Sequence, residues 1–500
     1  MICGIGSRGM GRPSPSILFA LALAALTLIR LIVASVTPIS PDEAYYWVWS
    51  RALAPGYLDH PFMVALWIRL GTFLFGDGAL GIRLLAPISA ALGSVLILDA
   101  ARLLGAGRGY AAALLLNATL LFGAGGILMT PDTPLILFWI ATLWAMARIV
   151  AGGAGWWWIA AGVFAGLALD SKYTAVLLLA GIGLWLLLLP EGRRWLRRDP
   201  RPWAGLTIAL LLFLPVILWN ADHHWASFLK QGGRTGDFHP ARALQFLGEL
   251  VLGQLGLATP VVFVLCVAGL IGATRLAMMR RDPAAGLLVA LGVLPALVFI
   301  QHAFGDRVQA NWPEILYPAA VIAAAALPLT MRWLKPALAV GFAMTLVIYV
   351  QAIASPIPIG GVSDPTIRVL GGWDAFTEAV VRDAQKSNAR FVAIDEYGLG
   401  SELALRLPPA MPVVADDPRW LLFSLPHPGI ALAAGEAGLL IRTMRRRTPP
   451  DARPWASMTE IGVLGRGRHG RIGESYKVYD VTVGPAAAEL VTRLPSGALP

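Results

Sequence analysis

The sequence predicts a polytopic α-helical membrane protein carrying a soluble C-terminal domain. Three observations lead there: apolar content, recurrent long apolar runs, and basic residues gathered on alternate loops. Of 500 residues, 57% are hydrophobic and 14% charged, with a mean hydropathy of +0.66, which is too apolar and too poor in charge for a soluble chain of this size. Runs of about 18 apolar residues read as spanning helices. Roughly eleven such runs occur, near 17–36, 79–101, 109–128, 133–150, 156–170, 173–190, 205–221, 248–274, 285–303, 314–330 and 336–354.

A net charge of +10 and a pI near 9.9 would suit a nucleic-acid partner if the charge were clustered. It is not, and no nucleic-acid partner is expected. Loops on one side carry Arg8, Arg12, Arg102, Arg108, Arg148, Arg193, Arg194, Arg197, Arg198, Arg201, Arg275, Arg280, Arg281, Arg332 and Lys335. The opposite loops carry Arg51, Lys172, Lys230, Arg234, Arg242 and Arg307. The positive-inside rule puts the N-terminus and the richer set in the cytoplasm. An odd number of spans then leaves the C-terminal part outside it. The first run exceeds the core of a cleavable signal and reads as a retained anchor. Cys3 in the cytoplasmic tail and Cys266 inside a span are too far apart to bridge.

Two domains are expected, a membrane domain over 1–354 and a soluble one over 355–500, joined by a linker marked by Pro356, Pro358, Gly360 and Gly361. The strand-like stretch 391–394, a helical stretch near 399–407 and apolar runs at 438–441 and 476–483 suggest a small α/β unit. Between the first two spans, 61–75 is apolar but too short to cross, as an interfacial helix would be. Trp156, Trp157 and Trp158 suit an aromatic belt.

Ionisable and polar residues gather on the outer loops, and near hydrocarbon such groups are functional candidates. Asp42 and Glu43 open the first outer loop, followed by Tyr45, Tyr46, Asp59 and His60. Asp132 lies in Thr130-Pro-Asp-Thr-Pro134, Asp170 and Lys172 at a turn between spans, and Asn311 and Trp312 further on. Adjacent, partly desolvated carboxylates can act as a general base; equally, Ser40-Pro-Asp-Glu is a helix start whose acids complement the dipole. Lys172 with Tyr173 could hold a phosphate, or the lysine could snorkel. Arg30 and Arg83 either reach a headgroup or point to the interface. His223 and His224 are adjacent rather than spaced for a helix-borne metal site, and the glycines at Gly465, Gly467 and Gly470 lack the strand and helix of a nucleotide-binding loop.

The blocks Pro41-Asp-Glu-Ala-Tyr-Tyr-Trp-Val-Trp-Ser50, Gly56-Tyr-Leu-Asp-His-Pro61, Thr130-Pro-Asp-Thr-Pro-Leu135, Leu169-Asp-Ser-Lys-Tyr-Thr174 and Asn311-Trp-Pro313 resemble, in order, those of the bacterial GT-C glycosyltransferases of the protein-mannosyltransferase-like superfamily. That group includes aminoarabinose and galacturonic acid transferases acting on lipid A. The resemblance covers about the first two thirds of the chain. It departs at Phe62, where relatives repeat a proline, and at Asp170, where a small or apolar residue is common.

The resemblance implies a GT-C fold in a bacterial inner membrane. It also implies an inverting transfer from a polyprenyl-phosphate sugar to a glycolipid, polysaccharide or protein acceptor at the periplasmic face. Asp42 would be the base or a carboxylate that positions the acceptor, Glu43 and Asp132 would shape the acceptor and sugar pocket, and Lys172, Tyr173 and Arg83 would hold the leaving phosphate. Tyr45, Tyr46, Asp59, His60, Asn311 and Trp312 would complete the substrate site. No cofactor is required, no metal ligands are assigned, and a divalent metal ion is compatible but unnecessary. Rival classes are a flippase for lipid-linked saccharide and a non-catalytic envelope assembly protein. Transporters commonly show two related halves meeting at the bilayer midplane, a pattern this chain lacks.

Overall fold

The computed structural model describes residues 14–107, 109–233, 239–360, 364–425, 432–485, 487 and 491–497. Cys3, Arg8, Arg12, Arg108, Arg234 and Gly361 lie outside the described residues. Among those described, seven helices are long and apolar enough to cross a membrane: Pro15–Val36, Ala79–Leu103, Asp132–Val150, Arg201–Asp222, Pro260–Arg280, Pro283–Ala303 and Pro328–Ala354. The pair Tyr173–Leu188 and Pro190–Arg198 makes an eighth if its 102° bend is counted within one span. Pro190 causes the bend, because a proline drives the residue before it out of helical geometry, and Leu189 is extended, with ψ 135°.

The other expected runs are shorter or broken, which separates the count from eleven. Run 109–128 becomes Gly109–Asn117 and Leu120–Gly125, with the Thr119 hydroxyl capping the second helix. Runs 156–170 and 314–330 become Trp157–Leu169 and, after a 3₁₀ turn, Tyr317–Ala325. Run 248–274 divides at Thr259, whose φ is +63°. Breaks are tolerated at membrane depth where protein supplies the hydrogen bonds, and every residue of Tyr317–Ala325 is buried. Hydropathy counts apolar residues and does not see such breaks.

Arg30 corrects the snorkelling expectation and shows how a break is served. Its side chain turns inward, 1% exposed, and donates to Asn117 Oδ1 (2.9 Å) and to the Phe122 carbonyl (3.1 Å). The broken helix therefore presents acceptors that an interior guanidinium satisfies. Elsewhere the bundle closes through small residues: a Cβ on Gly162 would meet the Gly205 carbonyl oxygen at 2.1 Å, so these backbones touch directly.

The helix expected over 61–75 forms as Met63–Phe75. Its Met63, Val64, Ala65, Ile68, Gly71 and Thr72 face protein, while Leu66, Leu70, Phe73, Leu74 and Phe75 are exposed, the two-sided pattern of a helix lying along a bilayer.

Beyond Ala354 the chain forms a six-stranded mixed sheet in the order β4-β5-β3-β1-β2-β6. Its strands are β1 Val392–Ile394, β2 Val413–Ala415, β3 Ala437–Thr443, β4 Trp455–Arg468, β5 Arg471–Val483 and β6 Thr492–Arg493. β1 runs parallel to both β2 and β3, and the rest pair antiparallel. Helices Trp373–Lys386 and Tyr397–Arg406 accompany it, so the α/β expectation holds and β1, β3 and β5 fall where apolar runs were seen. β4 was not foreseen, because its residues are mostly exposed and carry no apolar alternation.

This sheet is not an independent appendage. Tyr45, Trp47, Trp49 and Tyr57 of the first outer loop share one apolar core with Phe376, Leu399, Leu403, Trp420 and Phe423. The glycine-rich stretch dismissed as a nucleotide loop is the β4–β5 hairpin, which caps the last membrane helix. Arg468 donates to the carbonyls of Ala352 and Ile353, His469 bonds Ala354, and Arg471 reaches Ser355 and Ile357. Cations suit a helix C-terminus, whose last carbonyls lack intrahelical partners. Replacing Arg468 and Arg471 together by Ala is expected to cost on the order of 2 kcal/mol and to open the segment 355–360 to protease. Limited proteolysis in detergent measures this.

Candidate active site

The loop after the first span begins with a capped helix, Pro41–Arg51. Ser40 accepts from the Glu43 N–H while the Glu43 carboxylate takes the Ser40 N–H, a reciprocal capping box. Glu43 then goes further inward. Its oxygens receive Arg83 Nε and Nη2, both at 2.6 Å, and the Met129 N–H at 3.0 Å, and neither side chain of this pair is exposed. Arg83 also donates to the carbonyls of Ala34, Thr37 and Pro38. A guanidinium has five N–H donors, and all five are spent here.

Two expectations are corrected by this geometry. Arg83 neither snorkels nor has a donor left for a phosphate, and Glu43 is closed to substrate; together they brace the end of the first span, the outer loop and the Met129 turn. Burial raises the Glu43 pKa, but Arg83 and the N–H groups of Met129 and Ser40 more than offset it, leaving the carboxyl below its ordinary value.

Asp42, one residue earlier, points the other way. It opens onto a cavity of about 420 Å³ between the outer loop and the soluble domain, and its Oδ1 accepts from the Tyr397 hydroxyl at 3.1 Å. Crowding by protein around this cleft raises its pKa. The Tyr397 hydrogen bond opposes the rise, and the charges of Glu396, Glu43 and Asp59 add to it. The facing wall carries Arg368, Arg445, Arg446 and Arg466.

Behind Asp42 lies a second charged group. Asp59 accepts from Tyr45 (2.8 Å) and Lys230 (2.5 Å), and Arg419 of the soluble domain comes within 3.6 Å. Burial raises its pKa, and Lys230, with His60 and Tyr45, brings it below the ordinary value. His60 sits beside Tyr46, with ring centroids 6.4 Å apart.

A third group lies at the membrane-side turns. Lys172 Nζ is 2.7 Å from Asp132 Oδ1, and Asn311 donates to Asp132 Oδ2 at 2.9 Å. Glu314 lines a small cavity with Asp132, and Trp312 packs by His302. Tyr173 takes a long hydrogen bond from Asn220 and meets the Phe228 ring.

Tyr46 is buried, and burial followed by the charges of Asp42, Asp59 and Asp132 drives its pKa well up. Of the expected residues, Asp132, Lys172 and Asn311 meet, Tyr45 and Asp59 meet, and Arg83 and Glu43 form a closed brace. Sequence reasoning missed Glu314 and the contributions of Tyr397 and Arg419, having placed no site residue in the soluble domain. Glu314 follows Asn311-Trp-Pro313 directly and was within reach of the motif reading. Tyr397 and Arg419 carry no local signal, since only the docking of the sheet brings them in. Among the described residues, no three His, Cys, Asp or Glu side chains group to hold a metal ion.

The profile of the dolichyl-phosphate-mannose-protein mannosyltransferase family matches residues 59–219. Over 332 residues the chain is 28% identical to the lipid A galacturonosyltransferase RgtD of Rhizobium johnstonii, across 63% of this chain and 66%, just under two thirds, of that protein's length. The crystal structure of ArnT from Cupriavidus metallidurans in the apo state superposes with a TM-score of 0.59 at 16% identity, covering 93% of this chain and 98% of the other. ArnT bound to undecaprenyl phosphate gives 0.58 at 14%, covering 93% and 97%. The fold is that of a GT-C glycosyltransferase. The matched segment and the order of the motifs are similar to those of the protein-mannosyltransferase-like type.

Proposed function

We propose that this protein transfers a sugar from a polyprenyl-phosphate donor to an envelope acceptor, a glycolipid such as lipid A, a polysaccharide or a protein, with inversion at the anomeric carbon. The carrying observation is that Asp42 is an open carboxylate lining a cavity, and Lys172 supports it as a cation that keeps donors beyond its bond to Asp132. In this reading the acceptor hydroxyl attacks the anomeric carbon and its proton passes to Asp42. The bond from that carbon to the phosphate oxygen breaks, and the departing phosphate keeps the electron pair. Lys172 meets the charge that develops there. Tyr397 and the Tyr45–Asp59–Arg419 group fix the outer wall.

The reaction belongs at the periplasmic face of a bacterial inner membrane, with the N-terminus cytoplasmic and the C-terminal domain periplasmic. The sidedness of the arginines and the outer position of the carboxylates support that orientation. The flippase alternative is not favoured, because the fold and the similar sequences are those of transferases.

Purified protein in detergent, given radiolabelled polyprenyl-phosphate sugars and a lipid extract, is expected to move label to the acceptor, with or without a metal chelator. Intact lipid-linked sugar crossing proteoliposomes without transfer would overturn the reading. Lys172→Ala is expected to lower kcat/KM for the donor about 10- to 100-fold, the worth of one charge-assisted hydrogen bond. Titrating the donor at saturating acceptor measures that loss.

A further inference from the structure

In the soluble domain, β1 lies between two parallel neighbours, and the chain leaves it first toward β2 and later returns on its other side as β3. The carboxyl ends of parallel strands at such a reversal form a crevice where α/β sheets bind ligands. Here that crevice is a cavity of about 230 Å³. Asp395 follows β1, Asp416 follows β2 and Arg442 lies near the end of β3, and all three line it.

Two of these side chains are buried and incompletely satisfied. Asp395 is 6% and Arg442 3% exposed. Asp395 Oδ2 lies 3.0 Å from Arg442 Nε and 3.2 Å from Arg446 Nη1, and Arg442 Nη2 bonds Thr448 Oγ1 at 3.1 Å. Among the described residues, Asp395 Oδ1 and Arg442 Nη1 have no hydrogen-bond partner. A buried polar group left unpaired costs roughly 1–3 kcal/mol, so an unpaired acceptor and an unpaired donor on two side chains that line one cavity mark a place for a ligand that both donates and accepts.

Charge and size narrow the ligand class. The lining carries Asp395, Asp416 and Asp451 against Arg442, Arg446 and Arg453, and Arg453 is already paired with Asp451 at 2.5 Å. No surplus charge remains for a phosphate. The volume falls below the about 300 Å³ at which pockets begin to take drug-sized ligands. Pro418, Leu421 and Pro449 supply an apolar edge. Hydroxyls that donate and accept, a ring-sized body and an apolar C–H face describe a neutral sugar.

We propose that this crevice is a saccharide subsite, in which Asp395 accepts from one ring hydroxyl and Arg442 donates to another. Arg446 lines both this crevice and the Asp42 cavity, so the bound sugar is a non-reacting unit of the acceptor. That last assignment rests on the transferase reading; the binding of a sugar does not.

The test uses the full chain in detergent and saturation-transfer NMR with methyl glycosides of glucose, galactose and mannose, beside glucuronate and inorganic phosphate. At least one neutral glycoside is expected to show saturation, falling about tenfold in Asp416→Asn and also in Leu421→Trp, which blocks the mouth from an exposed position. Absence of saturation from every neutral glycoside, saturation confined to glucuronate or phosphate, or saturation unchanged in a folded variant would overturn the subsite. In the transfer assay Asp416→Asn is expected to raise the acceptor KM while kcat and the donor KM hold. A wild type that binds glycoside in the crevice but transfers nothing would count against the transferase reading and leave the subsite standing.

Discussion

Asp42→Asn is expected to reduce sugar transfer by about 10²–10⁴-fold, the usual contribution of a positioned general base, with the thermal midpoint unchanged. The substitution keeps size and one acceptor oxygen for the Tyr397 hydroxyl, and Asp42 takes no part in the Glu43–Arg83 brace. Loss of rate without loss of fold therefore isolates proton acceptance. Transfer at the wild-type rate would remove Asp42 from the mechanism.

The pH profile carries the same argument with a definite sign. A base must be ionised, and Asp42 has a raised pKa because protein crowds it and Glu396, Glu43 and Asp59 add negative charge. Its protonation on lowering pH comes earlier than for an ordinary aspartate, near 3.9. The acidic limb of kcat/KM is expected above that value and is expected to vanish in Asp42→Asn. A Tyr397→Phe variant removes the hydrogen bond that holds the pKa down, so its limb shifts further up.

Much of this candidate site was legible because polar and charged residues beside apolar spans are costly and stand out. Asp132, Lys172 and Asn311 stand out against apolar spans, and they meet in space. Direction was harder to read. Asp42 and Glu43 are neighbours in sequence, yet they separate in space: a helix turns successive residues by 100°, so Glu43 enters the capping box and Asp42 lines the cleft. Arg30 and Arg83 looked alike as snorkelling cations, yet each serves backbone carbonyls freed by a turn or a break, and hydropathy registers neither. Tyr397 and Arg419 were beyond reach because their roles depend on docking across a separation of more than 350 residues, and β4 because its mostly exposed residues carry no apolar alternation.

The largest loss of stability is expected from breaking the Glu43–Arg83 pair. Removing one partner of a buried ion pair leaves the other charge uncompensated and costs about 3–5 kcal/mol, a large part of the 5–15 kcal/mol that holds a typical domain. Arg83→Met should fare worst, since it strands the Glu43 carboxylate together with the carbonyls of Ala34, Thr37 and Pro38. Glu43→Gln keeps a neutral acceptor for the Met129 N–H and should lose less. The double variant Glu43→Gln with Arg83→Met should recover part of the loss, because no buried charge then lacks its counterion. The sign with pH follows from the depressed pKa of Glu43. The brace contributes fully above the unfolded carboxyl value, near 4.3, and fades as pH falls through the lower folded value. Thermal unfolding in detergent, followed for the single and double variants between neutral and acidic pH, measures both effects. If Arg83→Met unfolds at the wild-type temperature, the guanidinium is not the brace; Arg83 would then return to consideration as a phosphate ligand, and its loss should appear in the donor KM instead.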